Sequence, residues 1–372
     1  MPKKVGLIFE CSKILGASQG GTFYYGLLLI EAFRNEDLKV FIEGRVDSRL
    51  ITLLQSLCID YEIIHRDDKY NTLPLSFFWE IFTYRGKLRD FDCVIISSSS
   101  LSRYVYNAFF CRCSLFIIHS ITRFPRNKVN KAIYKLIIKK MIPNLLTVSN
   151  HATSLLSKQK IESTPLTNPS LFDSEFKNKL DIFNTPCSEI NNIKSNYILT
   201  VGQLTYAKGC SEWLDIVEFF SLKKSEIQFI WIGDGSEKKW VEDESERRGL
   251  AENVMILTSP PADLKEIYKN SICLLHPSLY ENYSLSLCDA AYIDLPFYCF
   301  DVGGNNEIVE LSNYGNIIPK YEIGEKLYSE LSLLIRRKSN RVNAIKYNRN
   351  FSIVKYIEKL FSHVNNKGKV KE

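Results

Sequence analysis

YILTVGQLTYAKG, residues 197–209, is a run of β-branched and aromatic residues that stops at Gly202, with Lys208 and Gly209 opening the next helix. A strand that ends in a glycine turn and feeds a helix is one unit of a doubly wound α/β sheet. A lysine at such a helix mouth is placed to meet phosphate, although a lysine there is more often a solvated surface residue.

Beyond this stretch, short strand-like runs at 228–232, 254–257, 272–276, 297–301 and 316–318 alternate with longer amphipathic stretches. An earlier series, at 5–9, 40–42, 61–64, 93–97, 115–119 and 145–149, has the same alternation. Each series predicts βα units and a parallel sheet. Between them, residues 162–195 are rich in Asn, Ser, Thr and Pro, which reads as an interdomain region. Length agrees, since 372 residues suit two domains of about 150–200 residues each. Ligands of doubly wound sheets bind at the carboxyl ends of the strands, so two facing sheets predict a cleft between the domains.

Two further motifs fall where such a cleft needs chemistry. Residues 272–291, ICLLHPSLYENYSLSLCDAA, read as a strand, a loop holding Glu281, and a helix holding Asp289. One carboxylate stands at the helix mouth and one inside it, so the pair can touch different parts of an extended ligand. A pyrophosphate resting on the amides of Tyr283, Ser284 and Leu285 gains from the unpaired N–H groups and positive end of that helix. Glu281 then suits a hexose and Asp289 a ribose, because carboxylates accept hydrogen bonds from hydroxyls. The plain alternative is an N-terminal acid plus a solvated Asp. In PFYCFDVGGNNEIVE, residues 296–310, Gly303 and Gly304 permit close backbone approach to a ligand, or simply a tight turn.

Composition excludes several classes. Apolar residues are 45% and charged residues 24%, normal globular usage. No apolar run approaches the roughly 20 residues of a membrane span, and the N-terminal run breaks at Glu10 before a secretory signal could form. The ten cysteines show no C-x-x-C pair, so buried thiols in a reducing cytoplasm are expected; Cys111 and Cys113 lack partner ligands for zinc, and no metal site is expected. The net charge of +6 suits anionic ligands or an acidic membrane surface without implying nucleic acid.

Taken together, VGQLTYAKG, IGDG at 232–235, RGLAENVMIL, IYKNSICLLHPS, the Glu281/Asp289 pair and GGNNEIVE resemble, in order and spacing, the C-terminal domain of family 4 glycosyltransferases. Gly20 and Gly21 match that family's glycine loop after the first strand, and TVSNHATSLLSK and NPSLFDSEF its later N-terminal segments. The resemblance implies a GT-B fold, α/β, with two Rossmann-like doubly wound domains facing across a cleft. It implies an acceptor-side domain at 1–185, a nucleotide-sugar domain at 186–340, and a C-terminal helix at 341–372 crossing back to the first. It further implies retention of configuration, a UDP- or GDP-sugar donor, a saccharide acceptor, no cofactor and no metal. Lys208 and the helix amides would support the leaving diphosphate, whose oxygen helps deprotonate the acceptor. Glu281 and His119, the latter ending the run 115–119, would position the sugar. Gly20, Gly21, Gln203, Tyr283, Ser284, Leu285 and Asp289 complete the implied donor site, with base contacts from the backbone around 257–261. His65, His151, His276 and His363 receive no role.

Two departures stand out: Gln203 replaces the family's arginine, and Asp289 its second glutamate. They keep open a catalytically degraded nucleotide-sugar-binding subunit; a nucleotide-sugar epimerase is a third reading, against which the full motif set argues. RNKVNKAIYKLIIKKM, residues 126–141, forms a basic amphipathic pattern, Lys128, Lys131, Lys135 and Lys139 on one stripe and Val129, Ile133, Leu136 and Ile137 on another. It suits either an ordinary surface helix or peripheral contact with the inner face of the cytoplasmic membrane; the family resemblance implies that a lipid-linked acceptor for O-antigen or capsule assembly would lie there.

Overall fold

The computed structural model describes residues 3–10, 21–43, 46, 48–64, 83–84, 86–98, 114–119, 145–173, 188–258, 264–342 and 347–368. The chain divides into two compact units, Met1–Thr167 together with Val354–Glu372, and Asn168–Ile353.

In the first unit, strands β1 (Lys4–Glu10), β2 (Asp37–Glu43), β3 (Asp60–Ile64), β4 (Cys93–Ser98), β5 (Ser114–Ile118), β6 (Leu145–Thr147) and β7 (Thr164–Pro165) are joined by segments that include helices α1 (Gly21–Phe33), α2 (Ser48–Ser56) and α3 (Asn150–Ser157). All pairings are parallel, in the order β3-β2-β1-β4-β5-β6-β7. The order turns back at β1, the switch point where ligands of doubly wound sheets commonly bind.

The second unit repeats the plan with β8 (Tyr197–Val201), β9 (Gln228–Ile232), β10 (Val254–Leu257), β11 (Leu274–His276), β12 (Phe297–Cys299) and β13 (Gly315–Ile317), in the order β10-β9-β8-β11-β12-β13. Its helices are α4 (Cys210–Leu222), α5 (Lys238–Arg247), α6 (Leu264–Asn270), α7 (Leu285–Tyr292), α8 (Asn305–Leu311) and α9 (Ile323–Val342). Every residue of β9, β11 and β12 is buried, the continuous apolar run of a strand covered on both faces. Against this sheet α4 lays Trp213, Leu214, Val217 and Phe220, the three-to-four spacing of an amphipathic stripe. Edge-to-face aromatic pairs fill the layer between, Trp213 on Trp231 at 5.3 Å and Phe220 on Phe229 at 5.1 Å.

The boundary falls at 167/168, ahead of the expected 185/186. Residues 168–173 are tied into the second unit: Ser170 Oγ and the Leu171 amide each donate to Asp289 Oδ1 at 2.7 Å, and Lys265 Nζ donates to the Phe172 carbonyl at 2.8 Å. The same segment meets the chain on its way out, where the Ser170 amide donates to the Phe351 carbonyl at 2.8 Å and the Ile353 amide to Asp173 Oδ2 at 3.0 Å. The last helix, α10 (Ile353–Gly368), then belongs to the first unit from Val354 onward, with Phe361 edge-to-face on Phe33 at 5.1 Å and Tyr356 on Tyr25 at 5.8 Å. The basic stretch 126–141, with Cys111 and Cys113, lies outside the described residues. Among those described, no helix is long and apolar enough to cross a membrane.

Trp231 joins this core to the turn that follows β8: it is fully buried and its indole N–H donates to the Gly202 carbonyl at 2.8 Å. Trp231→Ala is expected to cost about 3–5 kcal/mol in urea unfolding, and Trp231→Phe distinctly less, because the second keeps most of the apolar volume.

Candidate functional site

The carboxyl ends of β8, β11 and β12 bring three short segments together. Gly209, at φ 75° between the 3-10 turn Tyr206–Lys208 and α4, approaches the loop after β11 so closely that a Cβ there would lie 1.9 Å from the Pro277 carbonyl oxygen. Gly303, at φ 58°, packs against the same loop from the other side; its Cβ would lie 1.7 Å from the Glu281 carbonyl oxygen. Both demand glycine on conformation and on space. The amides of Leu279 and Tyr280 complete the junction by donating to the Ala207 carbonyl at 2.9 and 3.2 Å.

Held in this way, the Glu281 carboxylate becomes the focus of the site. Its Oε1 accepts from Lys208 Nζ, from Ser278 Oγ at 3.0 Å, and from His276 Nε2 at 2.9 Å. The Glu281 side chain is 8% exposed and that of His276 3%, whereas Lys208 keeps 26%, so the cation is the member that reaches solvent. Burial alone would raise the Glu281 carboxyl, but the Lys208 charge and the His276 hydrogen bond outweigh it and hold the group far below the usual range. Burial also pushes the His276 imidazole down, against the pull of Glu281. A neutral His276 donates its Nε2–H to Glu281 and accepts at Nδ1 from Ser286 Oγ, 3.4 Å away. Ser286 Oγ lies 3.0 Å from Ser284 Oγ, and Ser284 caps α7 by accepting from the Leu287 amide. The first turn of α7 therefore opens beside Glu281, and a helix N-terminus favours an anion.

Of the expected donor-site residues, Lys208, Glu281, Ser284 and Leu285 meet here, with Tyr283 buried directly before the cap. Gln203 is exposed on the turn after β8. Asp289 is differently engaged: it is 5% exposed, and its Oδ1 accepts from Ser170 and Leu171 at the entry to the unit. Burial raises its carboxyl to about 7 despite the hydrogen bond from Ser170. Gly20 and residues 259–263 lie outside the described residues, and Gly21 is the first residue of α1.

His119 belongs to the first unit, immediately after β5. Its Nε2 lies 2.7 Å from Ser97 Oγ on the neighbouring strand β4, and the Tyr25 ring meets it edge-on at 4.1 Å. Burial lowers its imidazole to about 3, so the ring is neutral at any working pH. Tyr25 is hydrogen-bonded in turn to Tyr356 of α10. Sequence reasoning missed Ser97, Tyr25, Ser278 and His276. For His276 a signal was present: it is the last residue of β11, at the carboxyl end of a strand, and it precedes the Pro-Ser pair of the loop that carries Glu281.

Two outcomes test this geometry. Gly303→Ala should destabilise by more than about 1 kcal/mol in urea melts, through positive φ and collision with the Glu281 carbonyl. For Asp289, a folded-state carboxyl raised to about 7 from the ordinary value of 3.8 means that the folded state retains a proton that the unfolded state loses between those values. Its contribution is complete below about pH 4 and is lost as pH rises through about 7. Asp289→Asn, which keeps an acceptor for Ser170 and Leu171, should therefore gain in melting temperature over the parent chain as pH climbs from 5 to 8.

Comparison with known proteins places these motifs. The family described as Glycosyl transferases group 1 matches residues 186–351. The amylovoran biosynthesis glycosyltransferase AmsD of Erwinia amylovora is 30% identical over 151 residues, 40% of this chain and 41% of that protein. The uncharacterized glycosyltransferase MJ1607 of Methanocaldococcus jannaschii is 31% identical over 114 residues, 30% of this chain and 29% of that protein. The chain thus spans under half the length of the relatives it matches. Over nearly full length the fold is similar to HepE of Anabaena, solved with UDP and glucose, at TM-score 0.71, 14% identity, and 98% and 99% of the two chains. A glycosyltransferase of Rickettsia africae is similar at TM-score 0.70 and 15% identity, covering 99% of each chain. The chain therefore has the GT-B fold, and its residues 186–351 match the family described as Glycosyl transferases group 1.

Proposed function

We propose that the chain is a retaining hexosyltransferase that moves a sugar from a UDP- or GDP-sugar to a saccharide acceptor, carried on a lipid, in polysaccharide assembly. The observation that carries this reading is the convergence of Lys208, His276 and Ser278 on Glu281 at the mouth of α7. It supplies what a nucleotide sugar requires: a cation and helix amides for the diphosphate, and a fixed carboxylate for sugar hydroxyls. The UDP and UDP-glucose complexes of HepE, a protein of the same fold, support that donor class. The setting is proposed by likeness to AmsD, named for amylovoran biosynthesis, and to WaaB, a lipopolysaccharide outer core galactosyltransferase of similar fold at TM-score 0.65 and 16% identity.

In the proposed reaction the bond from the anomeric carbon to the diphosphate breaks and a bond to the acceptor oxygen forms on the same face. The acceptor proton passes to a departing diphosphate oxygen. Lys208 and the first turn of α7 would stabilise the charge that grows on that diphosphate, the differential interaction that lowers the barrier. Glu281, ionised, would hold the sugar and favour positive charge at its anomeric carbon. Neutral His119, held by Ser97, is proposed to offer the transferred sugar a hydrogen bond without a competing charge. No metal is invoked, and turnover should survive chelation. Residues 126–141 are proposed to bring the protein to the inner face of the cytoplasmic membrane. The second reading, a nucleotide-sugar-binding subunit without turnover, draws on exposed Gln203 and on the engagement of Asp289 with Ser170 and Leu171.

The test is a thermal-shift screen with UDP, GDP, ADP, CMP and their sugars. A bound donor at one hundred times its Kd should raise the melting temperature by about 5–10 °C. Lys208→Ala and Glu281→Ala should each remove most of that shift. Failure of every nucleotide to shift the parent chain would overturn the donor reading, whereas binding without transfer to extracted lipid-linked glycans would favour the subunit.

A further inference from the structure

We infer that His276 is a positioning residue for Glu281, and that through it the site distinguishes a nucleotide sugar from the bare nucleotide diphosphate. This inference rests on the donor reading above and extends it to a residue that neither the motifs nor the comparisons assign.

Among the described residues the three donors to Glu281 converge on one oxygen, Oε1, which leaves the other, Oε2, as the acceptor for a sugar hydroxyl. They are not equivalent. Lys208 is the cation and the most exposed of them, so a diphosphate arriving at the mouth of α7 competes with Glu281 for it. Once Lys208 turns to the diphosphate, Glu281 stays placed only through His276 and Ser278. Ser278 stands three residues away on the same loop, so it ties the carboxylate only to its own loop. His276 is anchored elsewhere, since it ends β11 within the sheet and is braced at Nδ1 by Ser286 of α7. It therefore fixes the carboxylate relative to both the sheet and the helix mouth. Its neutrality matters as well: an imidazolium would bind Glu281 as a second cation and weaken its grip on a hydroxyl, whereas a neutral N–H orients the carboxylate and leaves its charge available. A merely structural role for this buried histidine would affect all ligands alike. The proposed role affects only ligands that carry the sugar.

Calorimetric titration of the full chain with UDP and with UDP-glucose, and with GDP and GDP-mannose if uridine ligands do not bind, separates the two. His276→Leu fills the volume without a donor; His276→Gln keeps an N–H directed at Glu281; Ser286→Ala removes the brace on Nδ1, together with the contact to Ser284 Oγ, and guards against a His276 variant that fails to fold. The expected result is a Kd for the nucleotide diphosphate within about twofold of the parent chain in all three. For the nucleotide sugar, affinity should fall about tenfold in His276→Leu, fall about threefold in Ser286→Ala, and largely recover in His276→Gln. Equal losses for both ligands, or an unchanged preference for the sugar in His276→Leu and Ser286→Ala, would overturn the inference while leaving the donor reading intact. A parent chain that binds none of the four ligands would overturn both, and Lys208→Ala then has nothing to remove.

Discussion

One carboxylate oxygen, Oε1 of Glu281, gathers a lysine from the turn after β8, a serine from its own loop and a histidine from the end of β11. A buried carboxylate is costly unless its charge is met, and each partner here comes from a segment whose course is fixed for another reason. The loop that carries Glu281 is pressed between Gly209 and Gly303, neither of which could bear a side chain. Trp231 secures the Gly202 carbonyl from beneath. The two-layer core thus delivers its support at the place where the chemistry is proposed to occur.

Helix α7 has different duties at its two ends. At its start, Ser284 caps the first turn and Ser286 braces His276, so the helix mouth and the Glu281 carboxylate form one hydrogen-bonded unit. Toward its other end, Asp289 holds Ser170 and Leu171, the residues by which the chain enters the second unit, and these lie beside the Phe351 carbonyl where the chain prepares to leave it. Eight residues therefore connect the proposed donor site to both crossings between the units. The anchoring of Asp289 also explains how a shorter acid can occupy that position: its partners are a hydroxyl and an amide close to the helix, within reach of an aspartate.

Much of this was legible in the sequence. Runs such as QFIWI and YILTV are apolar on both faces and could belong only to covered, parallel strands, and the spacing of Lys208, Glu281 and Gly303 along the second sheet placed them at the carboxyl ends of its strands. What sequence could not supply was the direction of side chains. Asp289 reads as a second ligand acid, yet only the fold turns it toward Ser170. His276 reads as the last residue of an apolar strand, and its role depends on the course of the loop from Pro277, which brings an acid five positions later onto its ring. The boundary between the compact units lies earlier than 185/186 for a similar reason: residues 168–173 have the composition of a linker, but their hydrogen bonds commit them to the second unit.

The most direct test of the central claim is a crystal structure of the chain with UDP-glucose, resolved well enough to place the Lys208 and Glu281 side chains. The account predicts the diphosphate at the first turn of α7, Lys208 transferred from Glu281 to a phosphate oxygen, and Glu281 still bonded to His276 while its free oxygen accepts from the glucose. A nucleotide bound elsewhere, or a Glu281 that swings away from His276 when Lys208 departs, would contradict it.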